Sequence, residues 1–149
     1  MDDVTLHRIQ AITSFANVVA GELGGWIEKE ENLSHVGNAW VSGNAQVYGN
    51  AQVYEDAWVY GNAQVYGNAQ VYGNTQVYGN ARVYENARVY ENAQVSDDAW
   101  VSENAQVSDD TQVMEVLGLV EMRRFMEMLG FMEILGLVVM PRSFLQDMY

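Results

Sequence analysis

His7 and His35 are the only imidazoles in the chain, and it has no cysteine. An imidazole can act as a general base near neutral pH if the proton it takes lies within hydrogen-bond reach. Neither histidine has a neighbouring insertion long enough to wall a pocket around it. Zinc chemistry needs three protein ligands, and two histidines near one end of a chain do not supply them unless a trimer gathers copies. A second set of candidate ligands is a recurring Asn or Asp: Asn44, Asn50, Asp56, Asn62 and onwards. Late in the chain it gains acidic neighbours, in Glu85/Asn86, Glu91/Asn92, Asp97/Asp98, Glu103/Asn104 and Asp109/Asp110. Oxygen ligands of this kind suit calcium, but corner geometry on a solvated edge is the simpler reading and the preferred one. The third set is aromatic. Tyr48, Tyr66 and Tyr84, Tyr54, Tyr72 and Tyr90, and Trp40 with Trp58 recur at intervals of eighteen. With the neighbouring glutamines they form a candidate surface for a carbohydrate, a flat ligand or another subunit. The competing reading, which is favoured, is that these rings stack on one another. Ice binding would call for ranked small hydroxyls, whereas bulky Tyr and Gln take the outward positions. No residue qualifies as catalytic, cofactor-binding or metal-binding.

The element that positions these side chains is a six-residue repeat, typically VYGNAQ. Valine returns at every sixth residue from Val41 to Val113, and two residues before each valine stands Ala or, at Thr75 and Thr111, Thr. A strict short period marks a solenoid. The expected fold is all-β: a single-stranded left-handed parallel β-helix, three hexads to a triangular coil of eighteen residues. Numbering each hexad from its valine, positions one and five point inward. Position three is Gly and then Glu or Asp, position two is Tyr and then Ser, and position six is Gln, Arg or Trp. Position four, Asn or Asp, is expected to take the left-handed backbone of the corner, since these residues tolerate it best after Gly. About four coils are expected, rising ~4.8 Å each. A flatter coil of twelve residues is the alternative; the interval between Trp40 and Trp58 favours eighteen.

Three regions follow. Residues 1–34 do not repeat and read as an N-terminal cap over the exposed edge of the first coil, with Gly21, Gly24 and Gly25 as turn signals. Residues 35–113 are the solenoid, with His35 at the first position-one site. Residues 114–149 form an apolar tail rich in Met and Leu that keeps the period of six but loses the Asn corners and small inward residues. Its composition favours helix. Interruption by Glu115, Glu121, Arg123, Arg124, Glu127 and Glu133 argues against a membrane span.

A formal charge of −13 opposes nucleic acid and anionic membrane surfaces. The acidic N-terminus, without a long apolar run, is not a secretory signal, so the expected location is cytoplasmic. Expected partners are a protein or a carbohydrate of unknown identity, and a homo-oligomer stays open.

The stretch Gly21–Glu22–Leu23–Gly24–Gly25–Trp26–Ile27–Glu28, followed by Glu31–Asn32–Leu33–Ser34 and then by GNAxVYGNAxV repeats, resembles the YdcK-like β-solenoid family of hexapeptide-repeat proteins over about residues 6–113. The resemblance implies a left-handed β-helix of bacterial or prophage origin. Members are often labelled acyltransferases on the strength of the repeat, and related β-helical acyltransferases bind an acyl-CoA between subunits and use a histidine base. Our reading is a non-catalytic structural or interaction module with no cofactor; the alternative is an acyltransferase-like protein using acyl-CoA.

The tail has a simple origin at the level of codons. MEMLGF can be encoded ATG GAA ATG CTA GGT TTC, and one added T in front reads TAT GGA AAT GCT AGG TTT, or YGNARF. The tail is therefore read as the same repeat translated in a shifted frame; a genuine apolar tail that caps the rod or docks a partner is the alternative. Resequencing the gene is expected to restore VYGNAQ-like hexads beyond Val113, and a confirmed frame with no solenoid reading beneath it would end the idea.

Overall fold

The computed structural model describes residues 3–114 and the backbone of Gly118–Leu119. Strand β1 (His7–Gln10) runs antiparallel to β2 (Leu23–Ile27). After a short 3₁₀ turn at Glu30–Asn32 come β3 (Leu33–Gly37) and β4 (Trp40–Val41). From Gln46–Val47 onward every hexad contributes a short strand centred on its position-six and position-one residues, up to Gln112–Val113. These strands sort into three sheets, each joined in parallel to the strand one coil above and below. Two sheets have five strands, and the third has seven because it includes β1 at one edge and Gly118–Leu119 at the other.

The coil is eighteen residues. Val47 pairs with Val65, Val65 with Val83 and Val83 with Val101, and the other two sheets repeat this interval. The twelve-residue alternative is thereby excluded. The rod has about five coils rather than four, because parallel stacking begins at β2, upstream of the strict repeats.

All thirteen valines from Val41 to Val113 are fully buried, as are the position-five alanines from Ala45 to Ala105. Each buried valine contributes about 1.5–3 kcal/mol. Thr75 is buried in place of Ala and stays satisfied because its hydroxyl donates to the Tyr72 carbonyl at 2.6 Å. Backbone pairing continues around the corners. The Asn44 N–H donates to Gly61 O at 2.9 Å, Asn62 to Gly79 at 2.7 Å and Asn68 to Glu85 at 2.7 Å.

Three expectations change. The left-handed corner residue is position three, not position four: φ is +64 to +73° at Gly43, Gly49, Gly61, Gly67, Gly73 and Gly79, and +56 to +61° at Glu55, Glu85, Glu91, Asp97, Glu103 and Asp109. Position four instead builds side-chain ladders, as in Asn44 Nδ2 to Asn62 Oδ1 at 3.3 Å and Asn62 Nδ2 to Asn80 Oδ1 at 3.2 Å. Gly24 and Gly25 are not turn residues; they lie inside β2, where an added Cβ would come within 2.6 Å of Val41 O and 2.7 Å of Ala45 O respectively. His35 does not hold the first inward site. Leu33 does, paired with Val53, and the two surplus residues of the first coil are absorbed in an irregularity between Leu33 and Gly37 that leaves His35 exposed. The expected helix of the tail falls outside the described residues, except that Gly118–Leu119 is strand and pairs in parallel with Trp100–Val101.

The cap is fastened by a buried polar group. Asn32 is fully buried; its Nδ2 donates to Gly49 O at 3.2 Å and Ala51 O at 2.9 Å, and its Oδ1 accepts from Lys29 N at 2.9 Å. Above it, Trp40 packs edge-on against Phe15 at 5.5 Å, in a cluster with Ala11 and Val18. Among the described residues no helix is long and apolar enough to cross a membrane.

Val71→Asp replaces a buried aliphatic group with an unpaired charge and should destabilise the array by more than about 3 kcal/mol. Urea melts followed by circular dichroism measure this, and a midpoint equal to that of the wild type would contradict the inward assignment.

Candidate functional site

Position two follows each inward valine and points out of the coil, so consecutive coils place tyrosine above tyrosine. Tyr48, Tyr66 and Tyr84 stack at centroid distances of 4.9 and 5.1 Å, and Tyr54, Tyr72 and Tyr90 at 4.7 and 5.2 Å. A third ladder, Tyr60 over Tyr78 at 4.9 Å, lies outside the candidate set although the same interval of eighteen marks it in the sequence. Interplanar angles are 1–8°, so the ring faces lie against each other and the ring edges face outward. Each contact contributes about 0.5–1.5 kcal/mol beyond burial. The rings are half-buried. That burial is the main cause holding the phenols of Tyr48, Tyr54, Tyr60, Tyr66 and Tyr72 above their ordinary pKa, so they remain neutral donors.

The two candidate tryptophans separate. Trp40 and Trp58 do stack in register, but Trp40 is only 4% exposed and belongs to the core of the cap; it cannot be part of an outer surface. Trp58 is half-buried beside it. The tryptophans that do meet cations are elsewhere. The Arg82 guanidinium lies 5.4 Å from the Trp100 ring centre, and Arg8 lies 5.8 Å from that of Trp26. All four lie on the seven-stranded face. No pattern within one hexad marks these pairs, because each partner comes from a different coil.

The histidines do not converge on a site. His7 is exposed on β1, and His35 is exposed in the irregular stretch of β3. Among the described residues no group of three or more His, Asp and Glu could hold a metal ion.

The acidic corner has its own chemistry. At position three a carboxylate reaches down one coil and accepts the next position-three N–H: Glu55 Oε2 from Gly73 N at 2.8 Å, and Glu91 Oε2 from Asp109 N at 3.0 Å. Such a bond to an ionised acceptor offsets part of the left-handed strain. Stacking acids on acids has a consequence for charge. A hydrogen bond with the Asp109 carboxyl, followed by desolvation and repulsion from Asp109 and Asp110, raises the Glu91 pKa above its ordinary 4.5.

Four stretches, residues 45–61, 63–77, 75–91 and 93–110, match the YdcK β-solenoid repeat. Over 39 residues the chain is 46% identical to a protein of Escherichia coli (strain K12) that carries the name Uncharacterized acetyltransferase YdcK. The similar stretch is 26% of this chain and 12% of that protein.

A raised Glu91 pKa means that the folded state holds this proton more tightly than the unfolded chain. Its contribution is full below pH 4.5 and is lost as pH rises through the folded value. Thermal melts should therefore show a gain in stability as pH falls from neutral toward the carboxylate range. The gain should be smaller in Glu91→Gln; an unchanged pH dependence in that variant would remove Glu91 as a contributor.

Proposed function

Starting from a chain whose repeat array belongs to the YdcK-like β-solenoid family, we propose that it is a non-catalytic structural or interaction module of bacterial or prophage origin, built on a left-handed coil. The observation that carries this reading is the unbroken eighteen-residue register from Val47 to Val113. No insertion leaves the described coils to wall a substrate pocket, and outward positions hold repeated rings and amides at the spacing of one coil. Such a surface suits contact with a protein or an extended carbohydrate, through ring edges, hydroxyls and amides rather than ring faces. Asn ladders at the corners and the Gln64 to Gln46 amide contact at 3.4 Å continue that polar array along the rod.

An acyltransferase-like protein using acyl-CoA is the second reading, favoured by the name of the E. coli relative. It would need a base, and only His7 and His35 are available as imidazoles. Titration with acetyl-CoA, followed by calorimetry and thiol release, separates the two readings. We expect no saturable heat and no turnover with small amine or hydroxyl acceptors; saturable binding with turnover would replace the module reading with the enzyme one.

A further inference from the structure

All three tyrosine ladders begin in the second coil, with Glu28, Ser34 and Ser42 one coil before Tyr48, Tyr54 and Tyr60, and of these the Tyr54 ladder borders a cleft. Tyr54 has Tyr72 stacked on one face at 4.7 Å. On the other side, the pairing of Leu33 with Val53 places Ser34 in the ring position of the preceding coil. A hydroxymethyl group therefore stands where the ladder would hold a phenol. The Ser34 hydroxyl is drawn toward the irregular turn, donating to Val36 O at 3.0 Å and accepting from Val36 N at 3.1 Å. The vacant rung is a cleft of about 260 Å³ lined by Glu31, Ser34, Gln52, Val53 and Tyr54.

We propose that this cleft is a binding slot for a planar cation, an amidinium or guanidinium group, seated against Tyr54 as the missing member of the ladder. Three observations select that chemistry. The lining joins an aromatic ring to an exposed carboxylate, Glu31, and an amide, Gln52; a planar cation with several N–H donors uses all three. On the cleft side of Tyr54 the charge is negative: Glu30 and Glu31 are exposed there, and Lys29 donates to Asn50 Oδ1 at 3.0 Å. Arg88, the cation that acts on Tyr54, comes from the strand two coils away on the other side of the ring, and the Glu55 carboxylate is engaged with the Gly73 N–H. The protein also makes this contact with its own side chains, since Arg82 lies over Trp100 and Arg8 over Trp26. The volume is below the range typical of drug-sized ligands, so the slot takes one flat group, either a free small cation or an arginine side chain of another protein. An anion would meet Glu31, and a neutral ring would leave its carboxylate unused. The slot stands apart from the module reading: it needs neither the flat faces nor a partner along the rod.

Benzamidine titrated into the full chain, with the Tyr54 ring followed by NMR, tests the slot. A saturable shift at Tyr54 is expected, with Glu31→Gln weakening the binding roughly tenfold, as loss of one charged contact would. Ser34→Tyr, which supplies the missing ring from the chain itself, should abolish binding. Glu31 is exposed, so its variant carries the test even if Ser34→Tyr fails to fold. A short peptide with one arginine flanked by glycines forms the second arm. Tighter binding of the peptide identifies a protein side chain as the natural occupant, and tighter binding of benzamidine identifies a free cation. No saturable shift with either probe, equal binding of neutral benzyl alcohol, or unchanged affinity in Glu31→Gln would overturn the proposal. Acyl-CoA turnover, by contrast, would overturn the module reading and leave the slot untouched.

Discussion

From Val41 onward each hexad lies over the hexad eighteen positions away, and this one register carries the rest of the structure. Valine meets valine in the lumen, tyrosine meets tyrosine outside, and asparagine meets asparagine at the corners. The same shift aligns the backbone donors and acceptors of strands and corners alike. Slipping one strand by one residue would expose its valine and bury a polar neighbour. The hydrophobic term, the ring stacks and the amide ladders therefore all select the same pairing, which is the consistency that gives a sequence a single fold.

Like-on-like stacking is favourable for aliphatic groups, rings and amides, and unfavourable for charges. The chain accepts the unfavourable case at position three, where Gly gives way to Glu or Asp in the later coils. An L-residue held at positive φ costs about 1–2 kcal/mol, and stacked carboxylates repel. The bonds from Gly73 and Asp109 N–H to the carboxylates one coil above offset part of this, and glycine could not make them. Because the column is exposed, salt screens much of the repulsion. At Glu91 the hydrogen bond with the Asp109 carboxyl, with desolvation and repulsion from Asp109 and Asp110 adding to it, makes a carboxyl that holds its proton more readily than usual.

The first coil is where regular stacking meets a sequence that does not repeat. Its two surplus residues are taken up near Leu33–Gly37, and the buried Asn32 satisfies the backbone of Gly49 and Ala51 where the fit is imperfect. Gly24 and Gly25 let β2 approach the next coil more closely than a side chain would permit. Beside this irregularity, Ser34 stands one coil before Tyr54, and a cleft lined by Glu31, Ser34, Gln52, Val53 and Tyr54 joins an aromatic ring to a carboxylate. Chemistry in a uniform solenoid concentrates where the uniformity ends, since only there do unlike groups come together.

The six-residue period determined the inward valines and alanines and the all-β class, and with the interval between Trp40 and Trp58 it favoured the eighteen-residue coil and the two main tyrosine ladders, which the strand pairing then fixed. Each of these depends on residues related by a constant interval, and an interval can be counted along a chain. The tertiary structure decided what no interval encodes. Trp40 looks like the head of an outward tryptophan column, and only the fold of Phe15 and Val18 over it makes it core. His35 occupies a valine position by counting, and only the stretched first coil hands that place to Leu33. Asn was the natural candidate for the left-handed corner by residue preference, yet Gly or an acid stands there, because the Asn side chain is held in a ladder with its counterpart one coil away. Local pattern sets what repeats; contacts between segments of unequal length set where the repeat begins and what covers it.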